Sequence, residues 1–232
     1  MLIAGFPAGP WGTNCYVVAP AAGSECVVID PGKDAMAGVD EVVREHNLLP
    51  VAVMVTHGHL DHMWSVTPVC EARDVPAYIH PDDRALLANP LAGMGRDTEA
   101  MFAQMTGGRM QFTEPDDVRL LEDGGVLNLA GLQFTVRHAP GHTPGSTVFV
   151  TDESGDIPPI MYSGDLLFAG SIGRTDLPGG DMAKMTQSLA AVVLPAPPEM
   201  VVLPGHGPQT TIGQELATNP FLTGTPAPGR GL

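Results

Sequence analysis

Basic residues are scarce in this 232-residue chain. Eleven Lys and Arg stand against 26 Asp and Glu, for a formal net charge of −15, and only two of the bases are lysines, Lys33 and Lys184. Nucleic-acid phosphates are gripped by basic faces, so nucleic acid is not an expected partner. The same deficit argues against an anionic membrane surface. Long apolar runs are also missing: nothing approaches the roughly 18 residues of a membrane span. Cysteine is sparse and odd in number (Cys15, Cys26, Cys70), with no C-x-x-C pair. That pattern reads as reduced, buried thiols and not as a disulfide framework. No Lys or Arg precedes the apolar part of "MLIAGFPAGPWGTNCY", so no secretory signal is read and the cytoplasm is the expected compartment.

The composition that remains, 44% hydrophobic and 16% charged, is that of a packed globular enzyme. A single domain is expected over residues 1–222. The Pro- and Gly-rich residues 223–232 are expected to form a flexible tail. Short apolar runs predict strands at 15–19, 25–30, 51–55, 77–80, 118–121, 132–138, 145–151, 159–163 and 200–204. Helices are predicted at 35–46, from about 62 to 73, and over 82–88, 181–193 and 212–218. The stretch 89–115 reads as a partly helical excursion or mobile flap. Strands in two sets, each followed by helices, predict two sheets face to face with helices outside.

The chemistry concentrates in "VTHGHLDHMW", where His57, His59, Asp61 and His62 fall within six positions just past a predicted buried strand. Imidazole and carboxylate are common metal ligands. Burying four such groups without a shared partner would cost on the order of several kcal/mol. His57 and His59, two apart, point to one side of an extended backbone. Asp61 and His62 cannot easily converge on the same point, so two neighbouring ions are favoured over one. Three more segments end predicted strands in the same way: "HAPGHTPGS" offers His142, "MYSGDLLF" offers Asp165 and "VLPGHGP" offers His206. Five His and two Asp divide into two three-ligand sets if one carboxylate bridges. His46, His80 and His138 are read as structural.

"THGHLDH", "GHT", "SGD" and "PGHG", in this order and spacing, resemble the metallo-β-lactamase superfamily. "NCYVV", "VVIDPG", "GRTDLPGGD" and "GHGPQTTIGQELATNPFL" make the chain most similar to the short bacterial form of the glyoxalase II-like thioester hydrolases. The resemblance implies an αβ/βα sandwich. It further implies His57, His59 and His142 on one ion, Asp61, His62 and His206 on the other, and Asp165 as the bridge. Asp30 is implied as a carboxylate that orients a ligating histidine. Two divalent ions are expected, with zinc favoured and iron or manganese as alternatives. The expected reaction is attack of a hydroxide, shared between the ions, on a thioester carbonyl, with Asp61 also holding that nucleophile. The expected partner is a small-molecule thioester of the S-lactoylglutathione type; the oligomeric state is left open. Full-length members carry a C-terminal helical domain whose basic residues hold the glutathione carboxylates. Here the last 26 residues contain one base, Arg230, so Arg174 of "GRTD", or Arg96 or Arg109, is the expected anion contact. The alternative is a mononuclear-iron persulfide dioxygenase, which resembles the chain almost as well. It would use the equivalents of His57, His142 and Asp165, but "PGHGPQTT" departs from the tyrosine-containing segment expected there.

Overall fold

Alternation along the strands decides the layering. In the computed structural model, residues 1–95, 102, 111–153 and 155–224 are described. The first sheet has the order β1 (Leu2–Ala8), β2 (Thr13–Ala19), β3 (Glu25–Ile29), β4 (Leu49–Met54), β5 (Ala77–Ile79) and β6 (Val118–Leu120). Successive side chains of a strand point to opposite faces. Cys15, Val17, Cys26, Val28, Val53 and Ile79 therefore turn outward, where they pack against Val39, Val66, Val69 and Leu87. Those residues belong to α1 (Ala35–His46), α3 (Val66–Arg73) and α4 (Pro81–Ala88). Tyr16, Val18, Val27, Ile29, Met54 and Tyr78 turn inward.

The second sheet runs β14 (Thr210–Thr211), β13 (Val201–Pro204), β10 (Ile160–Gly164), β9 (Thr147–Thr151), β8 (Leu132–His138) and β7 (Val126–Leu129). Its inward residues Phe134, Val136, Phe149, Ile160, Tyr162 and Leu203 meet those of the first sheet and form the central core. Its outward Val148, Met161 and Val202 are covered by Met185, Leu189, Val193 and Ile212, from α5 (Met182–Ser188), the π-helical turn Leu189–Val193 that continues it, and α6 (Ile212–Thr218). The result is a four-layer αβ/βα sandwich whose strands, buried on both faces, carry the continuous apolar runs seen in the sequence. A small hairpin, β11 (Leu167–Phe168) and β12 (Ser171–Ile172), and α7 (Pro220–Thr223) complete the described elements.

Three departures from the sequence reading have physical causes. The helix expected from about 62 to 73 is two: α2 (Leu60–Met63) and α3, divided at Trp64–Ser65. Pro68 lacks the N–H that would reach the Trp64 carbonyl, and its ring would strike that carbonyl, so no helix can run through the junction. Strand β1 is unanticipated because Gly5 and Pro7 read as breakers. An edge strand tolerates both, and a Cβ on Gly5 would sit 3.0 Å from the Tyr16 ring it crosses. Strand β7, with only alternate residues half-buried, carries too weak an apolar signal to stand out. Within 89–115, Pro90–Gly93 forms a 3₁₀ turn; Arg96 and Arg109 lie outside the described residues, as does most of the expected tail, 225–232. No helix among the described residues is long and apolar enough to cross a membrane.

The two sheets are stitched together along one edge. Thr147 N–H donates to the Thr56 carbonyl (2.8 Å), and Asn14 N–H to the Gly205 carbonyl (2.7 Å). The buried Tyr16 hydroxyl donates to the Pro204 carbonyl (2.8 Å). Strands β3, β4, β10 and β13 all end at this edge, and the loops that leave them carry the polar residues described next.

Candidate metal centre

Asp30 closes β3 with a positive φ of 49°, which turns its buried carboxylate back towards the loop after β4. That carboxylate accepts the Thr56 N–H (2.7 Å) and the Thr56 hydroxyl (2.6 Å). It also faces His62 Nδ1 at 2.9 Å. Because the single Thr56 hydroxyl hydrogen goes to Asp30, Thr56 Oγ1 can only accept from His57 Nδ1, 3.1 Å away. His142 Nδ1 lies 2.7 Å from the Arg174 carbonyl and must donate to it. These contacts fix the Nδ1 hydrogen of His57, His62 and His142, so that in the neutral form each presents a bare Nε2 lone pair; on His62 a cation would take the place of the Nε2 proton.

The lone pairs are crowded together. His57 Nε2 and His142 Nε2 are 3.1 Å apart, with His59 Nδ1 2.7 Å from His142 Nε2. His62 Nε2 lies 3.3 Å from His206 Nε2, 3.3 Å from Asp165 Oδ1 and 3.5 Å from Asp61 Oδ2. Asp165 Oδ1 is buried and makes no hydrogen bond. Facing lone pairs and carboxylate oxygens repel unless a cation lies among them. Two ligands held at zinc-like bond lengths in a tetrahedron stand about 3.3 Å apart, close to the spacings observed. The donor set therefore fits a divalent metal centre on geometry and on chemistry.

The donors fall into two sets, His57–His59–His142 and Asp61–His62–His206, with ligand atoms in each within 4.8 Å of one another. Asp165 stands between them, Oδ2 at 3.4 Å from His142 Nε2 and 3.8 Å from His206 Nε2. The sets differ electrically. Burial, reinforced by neighbouring imidazoles, pushes His57 well below its usual range and His59 down to about 3. Burial opposes charge on His62 as well, but Asp165, Asp61 and Asp30 outweigh it and raise that group. Burial would raise Asp165, yet His62 and its neighbours bring it down to about 2. Asp61 is likewise held below the usual carboxylate range. Two imidazoles held uncharged, His57 and His59, thus adjoin an ion-paired half.

All seven residues proposed from the motifs meet here, although they come from four loops. Gly205 shows how closely: a Cβ there would lie 2.3 Å from Asp165 Oδ1 and 2.6 Å from His62 Cε1. Arg174 also takes a part that was not expected of it. Its carbonyl orients His142, while its side chain is exposed and held by Asp176 through two contacts of 2.7 and 2.8 Å. His80 and His138 stack in parallel, centroids 3.9 Å apart at 7°. With Asp82 they bring ligand atoms within 4.8 Å of one another, but parallel rings aim their lone pairs side by side, so the group is a poor cage.

Sequence reasoning missed Asp83. Its carboxylate, fully buried at the start of α4, accepts the Gly58 N–H (2.8 Å) from the first loop. It also accepts the Gly145 N–H (2.7 Å) and the Thr143 hydroxyl (2.6 Å) from the His142 loop. It clamps the two loops that supply the imidazole trio. Nothing local separates it from exposed Asp82, since acids in a first helical turn are ordinary. Thr13, whose hydroxyl donates to Asp61 Oδ2 (3.1 Å), also lacked a signal.

A cleft of about 690 Å³ opens over Asp61, Asp165 and His206. Its walls bring together Trp11, Met94, Phe168, Leu177, Met182 and Phe221.

A model of the metallo-β-lactamase superfamily matches residues 8–206. A Mycobacterium leprae protein of unassigned function is 45% identical over 97% of this chain and 100% of its own length. The Bacillus subtilis probable metallo-hydrolase YqgX is 34% identical over 94% of this chain and 96% of its own. Hydroxyacylglutathione hydrolase GloC of Haemophilus influenzae is 32% identical over 84% and 86%. Among solved structures, the B3 metallo-β-lactamase BLEG-1 superposes with a TM-score of 0.80 at 37% identity, over 96% of this chain and 100% of that one. A di-iron-bound form of TTHA1623 gives 0.76 at 38%, over 94% and 100%. ETHE1 from Myxococcus xanthus gives 0.75 over 97% and 85%, but at 22% identity that likeness concerns the fold alone.

Proposed function

The chain belongs to the metallo-β-lactamase superfamily, and from that premise we propose that it hydrolyses thioesters at a two-ion centre, in the manner of the glyoxalase II-like members. The observation that carries the reading is the double donor set around Asp165, joined to the 32% identity with a hydroxyacylglutathione hydrolase over most of both chains. His57, His59 and His142 would hold one ion and Asp61, His62 and His206 the other, with Asp165 shared. Zinc suits these ligands, with iron or manganese as alternatives; the TTHA1623 structure, a di-iron form, supports iron.

When bound, such ions supply a water acidic enough to attack near neutral pH and a Lewis acid for the carbonyl. The chain's own residues do the rest. Asp30, Thr56 and the Arg174 carbonyl lock the tautomers that aim the imidazole lone pairs. Asp61, partly open to the cleft, is placed to hold the attacking water by hydrogen bonding. Hydrolysis joins the water oxygen to the acyl carbon and breaks the C–S bond, giving a carboxylate and a thiolate that takes up a proton. A thiolate leaves readily, so little general-acid help is needed.

The test is S-lactoylglutathione turnover by metal-replete protein beside His59→Ala, with metal counted in both. Two ions per chain with turnover that the variant lacks supports the reading; full turnover by the variant, or two bound ions with no thioester cleaved, defeats it. The likeness to BLEG-1 favours a second reading, β-lactam opening at the same centre, and a chromogenic cephalosporin in the same assay decides it. None of the relatives named above at 30% identity or more is described as a persulfide dioxygenase, the alternative reading.

A further inference from the structure

We infer that the cleft selects thioesters with an apolar acyl group, aliphatic or aryl, over the small polar acyl group and charged, dicarboxylate thiol of S-lactoylglutathione. The inference rests on the thioesterase reading and narrows it.

Seven large hydrophobic side chains stand exposed among the described residues, and three of them, Trp11, Met182 and Phe221, converge on this one cleft. They come from the β1–β2 turn, the start of α5 and α7, so no local sequence pattern gathers them. Scattered apolar residues on a surface need no explanation, but a contiguous group around a concave site marks an apolar ligand. Met94, Phe168 and Leu177 fill the wall between them.

The wall is built, not incidental. Buried Asn219 donates to the carbonyls of Ser171 (3.1 Å) and Phe168 (3.5 Å) and accepts the Phe221 N–H through Oδ1 (3.0 Å). Buried Glu215 accepts from Asn219 Nδ2 and from the Gly170 N–H, both at 2.8 Å. Two buried polar side chains thus fix the backbone that presents Phe168 and Phe221. Edge-on, Phe168 also lies 6.1 Å from the His206 ring, so apolar surface reaches the metal-ligand cluster itself.

Charge points the same way. The one Lys or Arg side chain lining the cleft among the described residues is Arg174, and Asp176 already pairs with one edge of its guanidinium through Nε and Nη2. Two glutathione carboxylates would have to share Arg174 with Asp176 and find a second cation in a protein of net charge −15. An apolar acyl chain needs neither and gains roughly a methylene's worth of burial with each added carbon.

The experiment measures kcat/KM for acetyl, butanoyl, hexanoyl and phenylacetyl thioesters of N-acetylcysteamine, with S-lactoylglutathione beside them. The expected result is a rise of about threefold per methylene up to hexanoyl, with hexanoyl at least tenfold above S-lactoylglutathione. Met182→Gln and Phe168→Ala should each lower the hexanoyl-to-acetyl ratio by about fivefold or more. A readout independent of turnover is quenching of tryptophan emission, from Trp11 in the wall, by the S-hexyl thioether of N-acetylcysteamine; binding should tighten from butyl to hexyl with or without metal. A flat or falling series, or S-lactoylglutathione as the preferred substrate, overturns the apolar inference and leaves the thioesterase standing. Cleavage of none of these thioesters by metal-loaded protein removes both.

Discussion

Replacing Asp83 by alanine tests the clamp between the two metal-bearing loops. The carboxylate is fully buried and accepts three short hydrogen bonds, from the Gly58 N–H, the Gly145 N–H and the Thr143 hydroxyl. Truncation leaves three buried donors without a partner, each costing about 1–3 kcal/mol. The Thr143 hydroxyl can fall back on Ser146 Oγ, 2.8 Å away, so the two backbone donors carry most of the loss. A net destabilisation of about 3–5 kcal/mol follows, at the top of the range for single substitutions. Urea unfolding of chelator-treated protein measures it without a contribution from bound metal. Asp82→Ala is the internal control, because that neighbour is exposed and should cost within about 0.5 kcal/mol. The clamped loops carry His57, His59 and His142, so Asp83→Ala should also weaken metal binding by about tenfold or more, as loss of supporting residues does elsewhere. If Asp83→Ala unfolds within about 1 kcal/mol of the parent and holds metal equally well, the clamp reasoning is wrong.

Three further expectations follow from the same geometry. His59→Ala and Asp165→Asn should each abolish activity and lower bound metal below two ions while circular dichroism remains native, and full turnover in either would contradict the assigned centre. Gly205→Ala should lose metal with little change in secondary structure, because the added Cβ would press on Asp165 Oδ1 and His62; metal titration reads this directly, and unchanged affinity would refute the close approach. Burial and the stacked His138 ring lower His80 from the ordinary histidine value of 6.5, against the opposing pull of Asp82, Asp83 and Asp123. The unfolded chain then takes up the proton first, so this group's contribution is complete above pH 6.5 and is lost as pH falls towards the folded value. His80→Gln should therefore flatten the fall in unfolding free energy between about pH 6.5 and 5, and an unchanged slope would show that His80 does not titrate there.

Much of this was open to reading along the chain, and the reason is range. The spacing of His57, His59, Asp61 and His62 is a local property, fixed by a strand end and the first turn after it, so residue types within six positions already announce a metal site. Apolar runs of five or six residues announce buried strands because both faces of each sheet are covered. Pro68 likewise carried the division between α2 and α3 in plain view. What only the tertiary structure decided depends on contacts between distant segments. Asp82 and Asp83 are adjacent and chemically identical, yet one faces solvent and the other ties together loops 25 and 62 residues away from it. Arg174 acts on His142 through its carbonyl, which no side-chain pattern can reveal. The tautomers of His57, His62 and His142 depend on Thr56, Asp30 and a backbone oxygen brought in from elsewhere. The cleft wall joins Trp11 to Phe221 across almost the whole chain. Local sequence sets which groups a strand end presents; packing of the two sheets sets which of those groups meet.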